Sequence, residues 1–335
     1  FFLGPKNELT RERDLDPHLN LNPKSENFLP NRSLLAIRDS FETFWVSRIF
    51  HYEFYFYKNL IYCDDRRRIG STKMGCCASN TAGGSKAKRV SRWRSTGIVG
   101  LRDSKLKTFP NEVIELERAV RTLDLTHNKI SDVPGEISKL INMQRLLIAD
   151  NLVERLPGNL GKLQSLKVLM LDGNRISCLP DELGQLVRLE QLSISRNLLI
   201  YLPDTIGSLR NLVLLNVSNN RLKSLPESVG SCASLEELQA NDNAVEELPA
   251  SLCNLIQLKS LCLDNNQVNQ IPDGLLKDCK SLQNLSLHNN PISMDQFQLM
   301  EGYQEFEERR KKKFDKQIDS NVLISSKGLD VGVDK

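Results

Sequence analysis

Directly after Met74 stand Gly75-Cys76-Cys77-Ala78-Ser79, residues whose backbone nitrogen and thiols could take up fatty acyl groups. A chain started at Met74 would lose that methionine and expose Gly75 to N-myristoylation, with Cys76 and Cys77 beside it as palmitoylation sites. The following stretch holds Lys86, Lys88, Arg89, Arg92 and Arg94, with Trp93 among them and no carboxylate before Asp103. One acyl chain attaches a protein to a bilayer only marginally, whereas a second chain or a basic patch makes the attachment durable. The sequence supplies all three signals together. In the chain as written Gly75 is internal and cannot be acylated, so the anchor requires Met74 to be the start.

Other reactive residue types are present without the spacing that catalysis needs. Of four histidines, His18 and His51 precede Met74, while His127 and His288 sit near strand ends seven repeats apart. At normal strand spacing that separation is on the order of 34 Å, too far for a shared triad or metal. Gly161-Lys162 lacks the upstream glycine of a phosphate-binding loop, since Leu156 holds that position. CxxC and HExxH do not occur. The expectation is a chain that is not an enzyme and has no cofactor or metal. Cys178, Cys232, Cys253, Cys262 and Cys279 are scattered through the repeats without the clustered caps of a disulfide-bonded solenoid, which predicts an intracellular protein with free thiols.

What must position any surface here is a repeat. Asparagine recurs every 23 residues at Asn128, Asn151, Asn174, Asn197, Asn220, Asn243 and Asn266, and again at Asn290. Pro134, Pro157, Pro180, Pro203, Pro226, Pro249 and Pro272 keep the same phase. One unit reads Leu166 to Pro180, the pattern LxxLxLxxNxLxxLP. Its alternating apolar positions predict a short strand with Leu169 and Leu171 inward and Val168, Met170 and Asp172 outward. The asparagine amide is expected to satisfy backbone groups of the turn that follows, forming a polar ladder along the inside of the coil. Proline is expected at the first position of a short helical return turn. Gly161, Gly184, Gly207 and Gly230, four residues past their prolines, are expected to stop that turn in a left-handed conformation.

These patterns predict an α/β leucine-rich-repeat solenoid, with a curved parallel sheet on the concave face and short helical or 3-10 turns on the convex face. Eight repeats carry the asparagine, and a degenerate leading unit, Val99 to Pro110, has Ser104 in its place. Beyond Asn290, Met294 to Phe314 places Leu299, Met300, Tyr303 and Phe306 at helical spacing, with Glu305/Arg309, Glu307/Lys311 and Glu308/Lys312 as i,i+4 pairs. This predicts a single C-terminal helix that caps the last repeat.

Five regions follow: residues 1–73, a basic arm 74–96, repeats over 97–293, a capping helix 294–318 and a flexible tail 319–335. The first holds 13 of the 20 aromatic residues, no methionine and no repeat, and is expected to be a disordered, non-native upstream translation. Charge divides along the same lines. The arm has five basic residues and no acid; residues 97–308 hold 20 basic against 28 acidic; residues 309–335 hold eight against four.

Outward strand positions nominate a binding surface. Its apolar middle is Leu147, Val168, Met170 and Leu214; the carboxylates around it include Asp150, Asp172, Asp242 and Asp264. Such a surface suits a basic protein partner and disfavours nucleic acid.

The repeat resembles that of the intracellular Ras-group leucine-rich-repeat proteins and their plant relatives, over Met74 to about Ile318. The ending Met300-Glu301-Gly302-Tyr303-Gln304-Glu305-Phe306-Glu307-Glu308-Arg309, with Lys311-Lys312-Lys313-Phe314, is similar to that of the leucine-rich-repeat-containing protein 57 subfamily, which also opens with Met-Gly. The resemblance implies scaffolding in intracellular signalling. The expected function is thus a monomeric adaptor, cytoplasmic or at the inner face of the plasma membrane, that binds protein without catalysis. The alternative is a soluble subunit that controls a phosphatase or small GTPase.

Overall fold

The computed structural model describes residues 86–313 and Asp315. Gly75, Cys76 and Cys77, the segment 1–73 and the tail 319–335 lie outside the described residues. Nine three-residue strands form one parallel sheet in sequence order: β1 Ile98–Gly100, β2 Thr122–Asp124, β3 Arg145–Leu147, β4 Val168–Met170, β5 Gln191–Ser193, β6 Leu214–Asn216, β7 Glu237–Gln239, β8 Ser260–Cys262 and β9 Asn284–Ser286. The degenerate leading unit supplies β1. Adjacent strands pair without slippage, so Leu123, Leu146, Leu169, Leu192, Leu215, Leu238 and Leu261 stand in one row, all fully buried. The pleat leaves the first and third residue of each strand on the other face.

Return segments on the far side are 3-10 turns at Gly135–Lys139, Gly158–Lys162, Asp181–Gln185, Asp204–Ser208, Glu227–Ser231 and Ala250–Asn254. The leading unit has α2, Asn111–Ile114, between β1 and β2, and the eighth has α3, Leu275–Asp278, between β8 and β9. Six of the seven ladder prolines, Pro134 to Pro249, stand one residue earlier than expected, and Pro272 lies further back, two residues before the capping Gly274 of α3. Pro180, for example, is the extended capping residue at φ −72° and ψ 145°, and Asp181 begins the turn. Its carbonyl accepts the N–H of Leu183, so proline starts the turn by offering an acceptor in fixed extended geometry.

The glycine expectation is overturned. Gly161, Gly184, Gly207 and Gly230 are not among the residues with positive φ. A Cβ at Gly184 would lie 2.5 Å from the Thr205 carbonyl oxygen of the next turn, and one at Gly207 2.4 Å from that of Ser228. The missing side chain lets successive turns approach. Left-handed backbone falls elsewhere, at the residue before each ladder position: Asp103, His127, Asp150, Gly173, Arg196, Asn219, Asp242, Asn265 and Asn289. Seven of these nine are Asp, Asn or Gly, the types that tolerate this conformation best.

Both ends of the stack are closed. The basic arm finishes as helix α1, Lys86–Thr96, whose Trp93 is buried against the first unit. Arg89 lies 5.0 Å from the centre of the Trp93 ring, and both Arg89 and Lys86 meet Glu112. Gly97, at φ 71°, donates its N–H to the Trp93 carbonyl and turns the chain into β1.

The C-terminal cap is broken where one helix was expected. Helix α4, Met294–Gln298, stops before Gly302 at φ 85°, and helix α5 runs over 303–313. A Cβ at Gly302 would lie 2.7 Å from the Lys277 backbone nitrogen, so the break lets the chain pass close to α3. Phe297 and Phe306 are buried and meet edge to face at 6.5 Å, and Tyr303 meets Phe297 at 5.4 Å. Leu299, expected on the packed face, is 86% exposed because it sits in the break. Only one expected ion pair is close, Glu308 to Lys312 at 3.9 Å. Glu307 meets Arg310 instead, while Arg309 donates to the Leu282 and Leu276 carbonyls and ties α5 to the last repeat.

Candidate protein-binding face

The asparagine ladder fixes the face from behind. In the fourth unit Asn174 is buried; its Oδ1 accepts the Val153 N–H at 3.0 Å. Its Nδ2 donates to the carbonyls of Ile148 and Leu171 at 2.9 Å each and, at 3.4 Å, to that of Asp172. The amide thus joins its own strand exit to the preceding repeat. Asn128, Asn151, Asn197, Asn220, Asn243, Asn266 and Asn290 make the same two-way contacts. Asn220, Asn243 and Asn290 are only half-buried.

On the outward side, register brings Leu147 beside Met170 and Arg145 beside Val168. Leu214 stands two strands from Val168, with Gln191 between. Leu147, Met170 and Leu214 are half-exposed. Val168 departs from expectation: it faces outward but is only 9% exposed, flanked by the longer side chains of Arg145 and Gln191 at strand spacing. The apolar centre is therefore Leu147 and Met170, with Leu214 as a satellite. Past β4 the third strand positions are Ser193, Asn216, Gln239, Cys262 and Ser286, a polar row.

The expected carboxylates divide into two sets. Asp172 Oδ1 accepts from Ser193 Oγ, Ser195 Oγ and the Ser195 N–H at 2.6 to 2.8 Å. Asp264 Oδ1 accepts similarly from Ser286 Oγ and the His288 N–H. Both brace neighbouring repeats and keep their charge at the surface with one oxygen engaged. Asp150 and Asp242 lie one residue on, in the left-handed row. Asp150 is 3.3 Å from His127 Nδ1 and 3.2 Å from Arg196. Asp242 accepts from Asn219 and Asn265, and Asn265 from Asn289, forming a second side-chain ladder that the sequence reading missed. The recurring pairs Asp-Asn, Gly-Asn and Asn-Asn before each unit's return segment carried its signal.

The remaining reactive groups are arranged for packing. Burial pushes the Cys232 and Cys262 thiols up to about 11 and Cys279 to about 12, far from the thiolate that nucleophilic chemistry uses. Cys178 and Cys253 are half-buried and, like these three, free. Among the described residues no group of three or more His, Cys, Asp or Glu could hold a metal ion, and no helix is long and apolar enough to cross a membrane.

Comparison with known proteins agrees with this architecture. A family model for a leucine-rich repeat region matches residues 157–240, and one for a single leucine-rich repeat matches residues 119–140. The chain is 76% identical over 261 residues to plant intracellular Ras-group-related LRR protein 7 of Oryza sativa subsp. japonica, covering 78% of this chain and 99% of that one. Among solved structures, an LRR protein of Leptospira interrogans superposes with a TM-score of 0.55 at 29% identity, over 62% of this chain and 58% of that one. The plant peptide hormone receptor RGFR1, in complex with RGF2, superposes at 0.51 and 29% identity, over 55% of this chain and 30% of the receptor. With its strand row, its asparagine ladder and a rice relative matched along nearly its whole length, this chain belongs to the plant intracellular Ras-group-related leucine-rich-repeat proteins.

Proposed function

We propose that this chain is a monomeric, non-catalytic scaffold of intracellular signalling that grips a protein with a basic surface through its strand-lined face. The observation that carries the reading is the half-exposed pair Leu147 and Met170, side by side on rigid strands with Asp150 and Asp172 adjoining. A small apolar centre inside a charged surround is the composition of a protein interface, and the net acidity of residues 97–308 disfavours nucleic acid. The likeness to RGFR1, a peptide hormone receptor solved in complex with RGF2, supports use of this architecture for a polypeptide ligand. Changing Leu147 and Met170 to Glu, with Leu214→Glu as a third variant, should lower capture of the physiological partner at least about tenfold. The melting temperature should stay near the parent value, because these positions are already half in water; capture at the parent level rejects the reading.

The same proposal places the protein at the inner face of the plasma membrane through acylated Gly75, Cys76 and Cys77, with Met74 as the start. The exposed Lys88, Arg92 and Arg94 of α1 lie close enough in sequence to add the basic contribution that one acyl chain needs. A chain beginning at Met74 should partition with membranes when expressed in plant cells, and Gly75→Ala should release it to the soluble fraction. A soluble parent chain would instead favour the untethered regulatory subunit.

A further inference from the structure

Between the sheet and the return turns, each repeat from Asn128 to Asn266 shows solvent three side chains at the first, third and fourth positions after its ladder asparagine. In the unit following Asn174 these are Arg175, Ser177 and Cys178, and in the unit following Asn220 they are Arg221, Lys223 and Ser224. The unit between them is different. Leu198, Ile200 and Tyr201 fill the three positions and are 37%, 52% and 57% exposed. No other repeat puts apolar side chains at all three.

The backbone holds this trio in line with its neighbours. The Leu198 N–H donates to the Ile176 carbonyl, and the Arg221 N–H donates to the Leu199 carbonyl, so Arg175, Leu198 and Arg221 stack in consecutive repeats along one row. Lys223 stands in the same row as Ile200. Arg175, Arg221 and Lys223 are exposed and take part in no ion pair among the described residues. At these three positions the nearest repeats on either side of the trio thus contribute three positive charges and no negative one; carboxylates come one repeat further out, at Glu154, Glu246 and Glu247, and past the prolines that open the return turns, at Asp181, Asp204 and Glu227. Exposed apolar side chains occurring singly need no explanation, but a contiguous set with a charged rim marks an interaction surface. Tyrosine, with large area and few rotatable bonds, is well suited to its centre.

We infer that this lateral patch is a second docking site, separate from the strand-lined face, whose occupant is a polypeptide segment with an apolar cluster flanked by aspartate or glutamate. Charge selects the occupant. A second copy would bring three like charges against three, a costly juxtaposition. The chain's own segment before Met74 carries twelve basic against ten acidic residues and offers no acidic surplus. An acidic partner both satisfies the rim and buries the trio. Two faces of opposite charge preference would let one chain hold two different proteins at once.

The test is selection of a random peptide library on the full chain, followed by affinity measurement of enriched peptides against three versions: parent, Ile200→Glu/Tyr201→Glu, and Leu147→Glu/Met170→Glu. Both exchanged lateral residues are more than half exposed, and a thermal melt checks that the fold survives. One class of enriched peptides should carry acidic residues beside an apolar cluster and bind the lateral variant at least about tenfold more weakly. They should bind the Leu147/Met170 variant like the parent and weaken as salt rises. A selection that yields no peptide weakened by the lateral variant, or in which those that are weakened are basic, overturns the inference. So does self-association of the parent in sedimentation that Ile200→Glu/Tyr201→Glu abolishes, since the occupant would then be a second copy. A pool in which every peptide is lost only by the Leu147/Met170 variant sinks the lateral site and leaves the strand-lined face standing.

Discussion

Asn174→Ala should destabilise the fold by about 3 kcal/mol, within the range of roughly 1–3 kcal/mol expected for each buried polar group stripped of its partner. The buried side chain accepts from Val153 N–H and donates to the carbonyls of Ile148, Leu171 and Asp172; Ile148 also accepts from Asn151 and Leu171 from Asn197, so those two carbonyls keep one ladder partner each when Asn174 is lost. The carbonyls keep a second lone pair and some reach water through the space vacated, which holds the loss below the sum over all four. Asn174→Asp separates the two halves of the role. A carboxylate still accepts from Val153 but donates nothing, so it should be at least as damaging as alanine at neutral pH. Denaturant unfolding of the parent and both variants measures this, and an Asp variant as stable as the parent would show that the donated bonds matter little. Half-buried Asn220, changed to Ala, should cost less than Asn174, because water can replace its partners.

Much of this architecture is legible because solenoid order is local. The strand row, its register and the asparagine ladder follow from one period, since a 23-residue unit can bury its leucines only against its neighbours. What periodicity does not carry is the chain's behaviour where the repeat ends. Leu299, Met300, Tyr303 and Phe306 fit a helical pattern, yet Gly302 breaks the helix because α3 lies too close for a side chain there. Trp93 closes the other end by tertiary packing, a role its basic, unpatterned surroundings do not announce. The face is legible at the level of columns and less so residue by residue. Leu147, Met170 and Leu214 stand where alternation puts them, but burial of Val168 depends on which side chains flank it on adjacent strands. Asp172 and Asp264 look like free rim charges until the serines 21 and 22 residues later are seen to bond them.

Gly207→Ala should cost about 1–3 kcal/mol, toward the upper end, although alanine is the better residue for most return turns. The added methyl would sit 2.4 Å from the Ser228 carbonyl oxygen and 2.9 Å from its Cβ, both fixed by the next 3-10 turn. Since φ at Gly207 is not positive, alanine would otherwise gain a few tenths of a kcal/mol by restricting the unfolded chain. The sign of the effect therefore reports the spacing of neighbouring turns. Asparagine discriminates between the two roles a glycine could have here. In a left-handed stop it would be tolerated better than alanine, whereas in a steric gap its larger side chain must be worse. Gly207→Asn should accordingly unfold at lower denaturant than Gly207→Ala. Gly100 serves as the control: a Cβ there meets nothing within 4 Å, and Gly100→Ala should leave stability unchanged or slightly raised. If Gly207→Asn proved the milder of the two exchanges, turn spacing would not be what this glycine protects, and the close stacking that sets the pitch of the outer side would need another cause.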